Sequence, residues 1–218
     1  MIDTVEVVLP CLNEVDALPG VLRELPGGCT PLVVDNGSTD GTPQRAAELG
    51  ARVVHEPRRG YGAAVHTGLE QARTDVVAVL DADGSLDPAV LPELIAAVVE
   101  DRADLAVGRR VPIGKGVLPW HAAAANAVLA ALLRRRGLPV HDIAPVRVAR
   151  RAALLDLGVT DRGFGYPLEL LLRAADAGWR MHEIDVTYRR RTGGRSKVSG
   201  SVRGTLRAAR DMAAVVRA

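Results

Sequence analysis

As far as Gly108 the chain alternates short apolar runs with helix-patterned segments, and no other feature limits its fold so tightly. VEVVL (Val5 to Leu9), PLVVD (Pro31 to Asp35), ARVVH (Ala51 to His55), VVAVLD (Val76 to Asp81) and DLAVG (Asp104 to Gly108) each read as a buried strand. The segments between them, Val15 to Leu25, about Thr42 to Leu49, about Tyr61 to Arg73 and Pro88 to Glu100, read as helices. A helical crossover between consecutive strands sets them parallel and covers the sheet on both sides, so each strand can be apolar throughout. The expectation is an α/β fold: a Rossmann-like, doubly wound, mostly parallel sheet with helices on both faces. The second half is less regular. Trp120 to Arg136, Gly165 to Ala177 and Ser201 to Arg217 read as helices, and Arg180 to Thr187 as a weakly alternating strand. No repeat, low-complexity tract or linker divides residues 1–218, which read as one domain.

Hydrophobic residues make up 48% of the chain and aromatics only 3%, so Val, Leu and Ala must fill the core. Cys11 and Cys29 form no CxxC pair and join no Cys/His cluster, which argues against a zinc site or a disulfide scaffold and for a reduced, cytoplasmic setting. The N-terminus carries acids and lacks the basic start of a signal peptide. The apolar stretches Ala89 to Val99 and Ala122 to Leu133 are too short to span a bilayer, so contact with a membrane would be peripheral. Charge is uneven: Arg134 to Ala218 holds 18 Lys and Arg against 8 Asp and Glu, whereas the rest holds 10 against 18. A basic C-terminal third suits an anionic partner, or simply a solvated face.

In a doubly wound sheet, ligands bind beyond the carboxyl ends of the strands. Here those ends run into Pro10 to Glu14, Asp35 to Gly41, Asp81 to Gly84 and Gly108 to Arg110, gathering Asp, Glu, Asn, Ser, Gly and Arg on one edge. Asp81 and Asp83 repel each other at a strand mouth unless a cation lies between them, and Mg²⁺ or Mn²⁺ with substrate phosphates is the hard-ligand solution. The pair alone is also compatible with a solvated turn, because D-G is a turn signal. YRRRTGGRSKVSG sets Arg190, Arg191, Arg195 and Lys197 around a Gly-Gly pair, with no interleaved aromatics to suggest nucleic acid. Arg109 follows the fifth strand, where it would face charge developing on a leaving group.

VVLPCLNEVDALPGVL, VVDNGSTDGT and RRGYGAAVHTGLEQARTDVVAVLDADGSLDP, in this order, resemble family 2 glycosyltransferases of the GT-A fold. DIAPVRVARRAALLDLG, GYPLELLLRAADAGWR and EIDVTYRRRTGGRSKVSG extend the resemblance to the polyprenyl-phosphate branch, which includes dolichyl-phosphate mannose synthase-like enzymes. The resemblance implies an inverting transferase that takes a sugar from a UDP- or GDP-linked donor, with a lipid phosphate as acceptor and Mg²⁺ or Mn²⁺ at the acidic pair. By the same resemblance, Pro10, Asn13, Glu14, Asp35, Asp81 and Ala82 hold the nucleotide, with Asp81 and Asp83 at the metal. Arg191 and Lys197 lie on a loop that grips phosphate, and Tyr61 and His66 fall in the helix flanking the base pocket. Glu169 matches an acid that serves as base in hydroxyl-acceptor relatives, so the candidate catalytic set is Asp83, Arg109, Glu169, Arg191 and Lys197. Residues 1–110 would form the donor half, and 111–218 the acceptor half with its basic C-terminal helix. Ser85 stands where phosphate-acceptor relatives often carry Gln, and Asp142 is either a weaker candidate acid of the same sort as Glu169 or a structural partner of Arg147 or Arg150. Two alternatives stand beside this reading: a sugar-1-phosphate nucleotidyltransferase, and a non-catalytic nucleotide-sugar-binding protein. The first expects a Gly-rich loop after strand one, where this chain has PCLNE; the same lack of glycines argues against a dinucleotide-binding fold.

Overall fold

A computed structural model describes residues 4–114, 117–143, 145–193 and 202–217. Strands β1 (Val5–Cys11), β2 (Cys29–Asp35), β3 (Arg52–His55), β4 (Val76–Val79), β5 (Leu105–Pro112), β6 (Val146–Arg150) and β7 (Met181–Tyr188) form one sheet in the order β3-β2-β1-β4-β6-β5-β7. The β3-β2-β1-β4 half is parallel throughout, whereas β6 runs antiparallel to both β4 and β5. β7 lies parallel to β5. The helices are α1 (Leu18–Glu24), α2 (Thr42–Glu48), α3 (Tyr61–Gln71), α4 (Leu91–Val99), α5 (Trp120–Arg135), α6 (Arg151–Asp156), α7 (Tyr166–Asp176) and α8 (Val202–Arg217).

The two-residue period of a strand sends alternate side chains to opposite faces. Val5, Val7 and Leu9 therefore join a core layer with Leu91, Leu94 and Val148, while Val8 joins the other layer with Leu69, Tyr166 and Leu170. Both faces are buried, which is why β1 (apart from Glu6), the second half of β2, and β4 are apolar without alternation. Helix α3 comes very close to β1: a Cβ on Gly68 would overlap Val8 Cγ1, and one on Gly62 would lie 2.6 Å from Tyr166 Cβ. The N–H groups of Gly62 and Ala63 donate to the carbonyls of Gly163 and Arg162 at 3.0 and 2.9 Å, so chain from the second half caps α3.

The structure departs from the sequence expectation in several places: helix α6 was not expected, β4 ends at Val79 rather than Asp81, and two further strands differ. Strand β6 was not anticipated, because VRVAR interleaves arginines with its apolar residues. Strand β5 runs to Pro112, past the expected end at Gly108, so Arg109 and Arg110 are strand residues facing opposite sides rather than neighbours in an exit loop.

Candidate active site

A cleft of about 1070 Å³ opens where the carboxyl ends of β1, β2 and β4 meet β5, β6 and the segment after β7. The loops around it are fixed by side-chain to backbone bonds. Asn13, in the left-handed region at φ 56°, accepts from Thr39 N at 2.8 Å, while its own N–H donates to Ser38 Oγ at 2.9 Å. Asp35 accepts from Gly37 N and Ser38 N at 3.2 and 3.1 Å and lies 3.3 Å from His55 Nδ1. Burial pushes its carboxyl upward, but the bonds from Ser38, His55 and Gly37 outweigh that and hold it below the usual range. Asn36 Nδ2 donates to the carbonyls of Glu56 and Arg58, and its Oδ1 accepts from Gly60 N. Asn13 thus ties the β1 loop to the β2 loop and Asp35 braces the β2 loop against His55, whereas Pro10, Glu14, Asn36 and Ala82 line the cleft.

The acidic pair lies just beyond β4. Asp81 receives the Tyr61 hydroxyl at 3.3 Å. Burial, and then repulsion from Asp83, push its carboxyl up to about 7, against the pull of Arg147 and Arg110. Asp83 Oδ1 accepts from Ser85 N at 2.9 Å, and its carbonyl from Thr192 N at 3.0 Å. Arg191 Nη2 lies 2.8 Å from Glu14 Oε1 and 3.5 Å from Asp83 Oδ2, so one guanidinium spans the mouths of β1 and β4. Among the described residues no group of three or more His, Cys, Asp or Glu side chains could hold a metal without other ligands. Two carboxylates, one of them driven toward protonation by burial and by its neighbour, suit a hard cation that takes its remaining ligands from phosphate and water.

Arginines supply the opposing charge. Arg110 donates to Asp142 from its backbone N, Nε and Nη2 at 2.9, 2.8 and 2.7 Å, and its guanidinium carbon lies 5.6 Å from the Tyr188 ring centroid. Arg147 is 2% exposed on β6, gives one bond to Ile143 O at 2.8 Å, and keeps Nε and Nη1 buried without a hydrogen-bond partner. Its charge acts on Tyr61 and Asp81. The sequence reading put Arg110 on the binding edge without giving it a role, and did not place Arg147 there. The available signal was a lone Arg between two valines in VRV, a pattern that puts a cation into a core layer.

Several expectations are corrected by placement. Arg109 does not face the cleft; its Nε and Nη2 clasp Asp185 at 2.6 and 2.8 Å on the surface. Glu169 is not a cleft residue. It sits in the first turn of α7 and accepts from Thr160 N, Thr160 Oγ1, Asp161 N and Arg173 Nε at 2.7 to 3.0 Å. Burial raises its carboxyl, but these bonds prevail and keep it below the usual range. Asp142 pairs with Arg110 rather than with Arg147 or Arg150, and Arg150 pairs with Asp75. Ser85 is buried, with its side chain at the Tyr188 hydroxyl and its N–H donating to Asp83 Oδ1 at 2.9 Å. Lys197 and Arg195 lie outside the described residues.

Residues 6–158 match the profile of "Glycosyl transferase family 2". The chain belongs to this family. An uncharacterized glycosyltransferase of Mycobacterium tuberculosis is 58% identical over 98% of both chains. The undecaprenyl-phosphate mannosyltransferase of Micrococcus luteus is 36% identical, over 90% of this chain and 88% of its own. The polyprenol monophosphomannose synthase of Mycolicibacterium smegmatis is 35% identical, over 89% and 81%. These relatives support the polyprenyl-phosphate mannose synthase-like branch of the glycosyltransferase family. Glucosyl-3-phosphoglycerate synthase of Mycobacterium tuberculosis, solved with Mn²⁺, UDP and glucosyl-3-phosphoglycerate, superposes with a TM-score of 0.77 at 24% identity, over 98% of this chain and 78% of its own. The sheet and its helices are those of a GT-A glycosyltransferase. Among the described residues no helix is long and apolar enough to cross a membrane.

Proposed function

We propose that the cleft binds a UDP- or GDP-linked sugar with Mg²⁺ or Mn²⁺ and passes the sugar, with inversion, to the phosphate of a polyprenyl phosphate. The observation that carries this is the charge layout: Asp81 and Asp83 at the β4 mouth, ringed by Arg110, Arg147 and Arg191 in one cleft. Two acids with a cation hold a diphosphate, and arginines remain for a second anion. The metal complexes of the glucosyl-3-phosphoglycerate synthase and the names of the polyprenyl-phosphate relatives support the same reading.

Pro10, Glu14, Asn36 and Ala82 would flank the nucleoside, with Asn13 and Asp35 shaping that wall from behind. When bound, the cation would stabilise the negative charge that develops on the diphosphate. Asp83 and Asp81 would hold it, with Tyr61 and Arg147 fixing the Asp81 side chain. An acceptor phosphate oxygen attacks the anomeric carbon as the bond to the diphosphate breaks, and the electron pair leaves with the nucleoside diphosphate. Phosphate is already anionic, so the step needs no general base, which agrees with Glu169 serving loop structure instead. Arg191, between Glu14 and Asp83, would turn to the leaving diphosphate, and Arg110 would face the incoming phosphate. In this scheme residues 1–110 supply most of the donor side and 111–218 most of the acceptor side, with Arg110 and Arg191 crossing that division, at a peripheral site on the cytoplasmic face of a membrane.

A thermal-shift screen of UDP- and GDP-sugars, each with and without Mn²⁺, tests the donor assignment. Stabilisation by at least one sugar nucleotide that needs metal is expected. No response to either base would defeat the proposal.

A further inference from the structure

Between Ala122 and Leu133 helix α5 carries a single polar residue, Asn126, and Asn is a poor choice for a helix interior. Its side chain reaches off the helix to the turn before β6. Nδ2 donates to His141 O at 3.4 Å, while Oδ1 accepts from Ile143 N at 3.0 Å and lies 3.5 Å from Arg110 Nη2. Glu183 reaches the same turn from β7. Its Oε1 accepts from His141 N and Asp142 N at 2.7 and 3.3 Å, and its Oε2 lies 2.7 Å from His141 Nδ1. Three successive N–H groups, on His141, Asp142 and Ile143, are therefore taken by two side chains from separate elements. The turn lies outside every strand and helix, so these bonds set its position.

The residue held at the centre of the turn is Asp142, whose side chain is 3% exposed. Both of its oxygens are committed to Arg110: Oδ2 accepts from the backbone N and from Nε, and Oδ1 from Nη2. The clasp occupies one edge of the guanidinium, and the Tyr188 ring packs against it. Arg110 Nη1 makes no hydrogen bond among the described residues, and Arg110 lines the cleft. A buried carboxylate that spends both oxygens on one arginine orients that arginine.

We propose that Asn126 and Glu183 are positioning residues for the acceptor: they fix the turn at 141–143, the turn fixes Asp142, and Asp142 holds Arg110 as a preset donor to the acceptor phosphate. The inference rests on the polyprenyl-phosphate reading above and names two residues that act on its acceptor side without touching the acceptor. A loose arginine gives up rotamer freedom when phosphate arrives, whereas a clasped one has already done so, a difference of about 3- to 10-fold in affinity. The attacking phosphate loses negative charge as its new bond forms, so Arg110 grips the bound acceptor at least as firmly as the transition state. Loosening it therefore raises KM and spares kcat.

Farnesyl phosphate serves as a water-compatible acceptor, with the sugar nucleotide identified by the thermal-shift screen, well below the melting temperature. Asn126→Leu and Glu183→Leu should each raise its KM about 3- to 10-fold, change kcat by less than about twofold, and leave metal-dependent nucleotide binding unchanged. Glu183→Gln should restore the KM, because its amide oxygen still accepts from the two N–H groups. Arg110→Met should raise the KM by itself, and in that background neither Leu substitution should raise it further. The Asn126→Leu arm, on a helix that Leu favours, carries the test if Glu183→Leu does not fold. An unchanged KM in the folded Leu variants, a further rise in the Arg110→Met background, or a parallel loss of nucleotide binding would overturn the inference and leave Asn126 and Glu183 as scaffold. A wild type that binds sugar nucleotide with metal yet leaves farnesyl phosphate unglycosylated would instead sink the polyprenyl-phosphate reading, and this inference with it.

Discussion

Replacing Arg191 with Met should separate metal binding from nucleotide binding, with effects of opposite sign. The guanidinium sits 2.8 Å from Glu14 and 3.5 Å from Asp83, and its side chain is 21% exposed against 17% for Asp83. A unit charge pair at the Asp83 separation is worth about 5 kcal/mol at an effective dielectric constant of about 20, and about 1 kcal/mol in bulk water. A rim position between these limits gives a coupling of about 2 kcal/mol, or about 30-fold in a dissociation constant. For a cation alone, Arg191 is a competitor beside Asp83, so Arg191→Met should bind Mn²⁺ as well as the wild type or better. For nucleoside diphosphate in saturating Mn²⁺, the same change removes a positive partner and should weaken binding by about 10- to 100-fold. Calorimetric titrations of Mn²⁺, then of UDP and GDP with Mn²⁺, read both effects. They belong well below the melting temperature, because Glu14 also loses its ion pair. Parallel weakening of metal and nucleotide, or no change in either, would refute the reasoning and reduce Arg191 to a structural clasp.

Gly68→Ala should lower stability by about 1–3 kcal/mol despite the better helix propensity of Ala, because its methyl group meets Val8 in a packed layer; chemical denaturation reads the change. Glu56 is held down to about 2, first by the Arg58 side chain and, against some burial, by Thr67 and the Arg58 backbone. A depressed carboxylate contributes stability in full above its ordinary value near 4.5 and loses it as the pH falls toward 2, so Glu56→Gln should flatten the stability–pH curve across that window. Glu169→Gln should reduce stability by about 1–3 kcal/mol through its bonds to Thr160 and Asp161, yet leave the pH profile of kcat unmoved. A kcat that collapses in a folded Glu169→Gln protein would restore the base.

How far the sequence could be read depended on burial pattern. The Val- and Leu-rich stretches of β1, β2 and β4 are buried on both faces, so short apolar runs announced them, and the edge they share announced the site. VRVAR in β6 hints that Arg147 is buried, but its place beside Asp81 is a tertiary arrangement that no local pattern encodes. The confusion of Arg109 with Arg110 followed from the strand end: four more residues of β5 turn two neighbours to opposite sides, and which of them meets Asp142 depends on a loop some thirty residues away. Glu169 was a candidate because the resemblance places there an acid that serves as base in hydroxyl-acceptor relatives. Its partners, Thr160, Asp161 and Arg173, come from a loop folded back onto the helix, a packing detail that spacing does not reveal. The acidic pair was legible as a motif, whereas its perturbation is not, since Asp81 depends on Tyr61, Arg110 and Arg147 from three separate elements.

The central claim is that Asp81 and Asp83 share a divalent cation with the donor's diphosphate. Its most direct test is calorimetric titration of UDP and GDP into wild-type and Asp83→Asn protein, each with and without Mn²⁺, with circular dichroism to confirm the fold. The wild type should bind at least one nucleotide tightly only when Mn²⁺ is present, and Asp83→Asn should lose that dependence. An Asp83→Asn protein that binds nucleotide with undiminished affinity in Mn²⁺ would contradict the account.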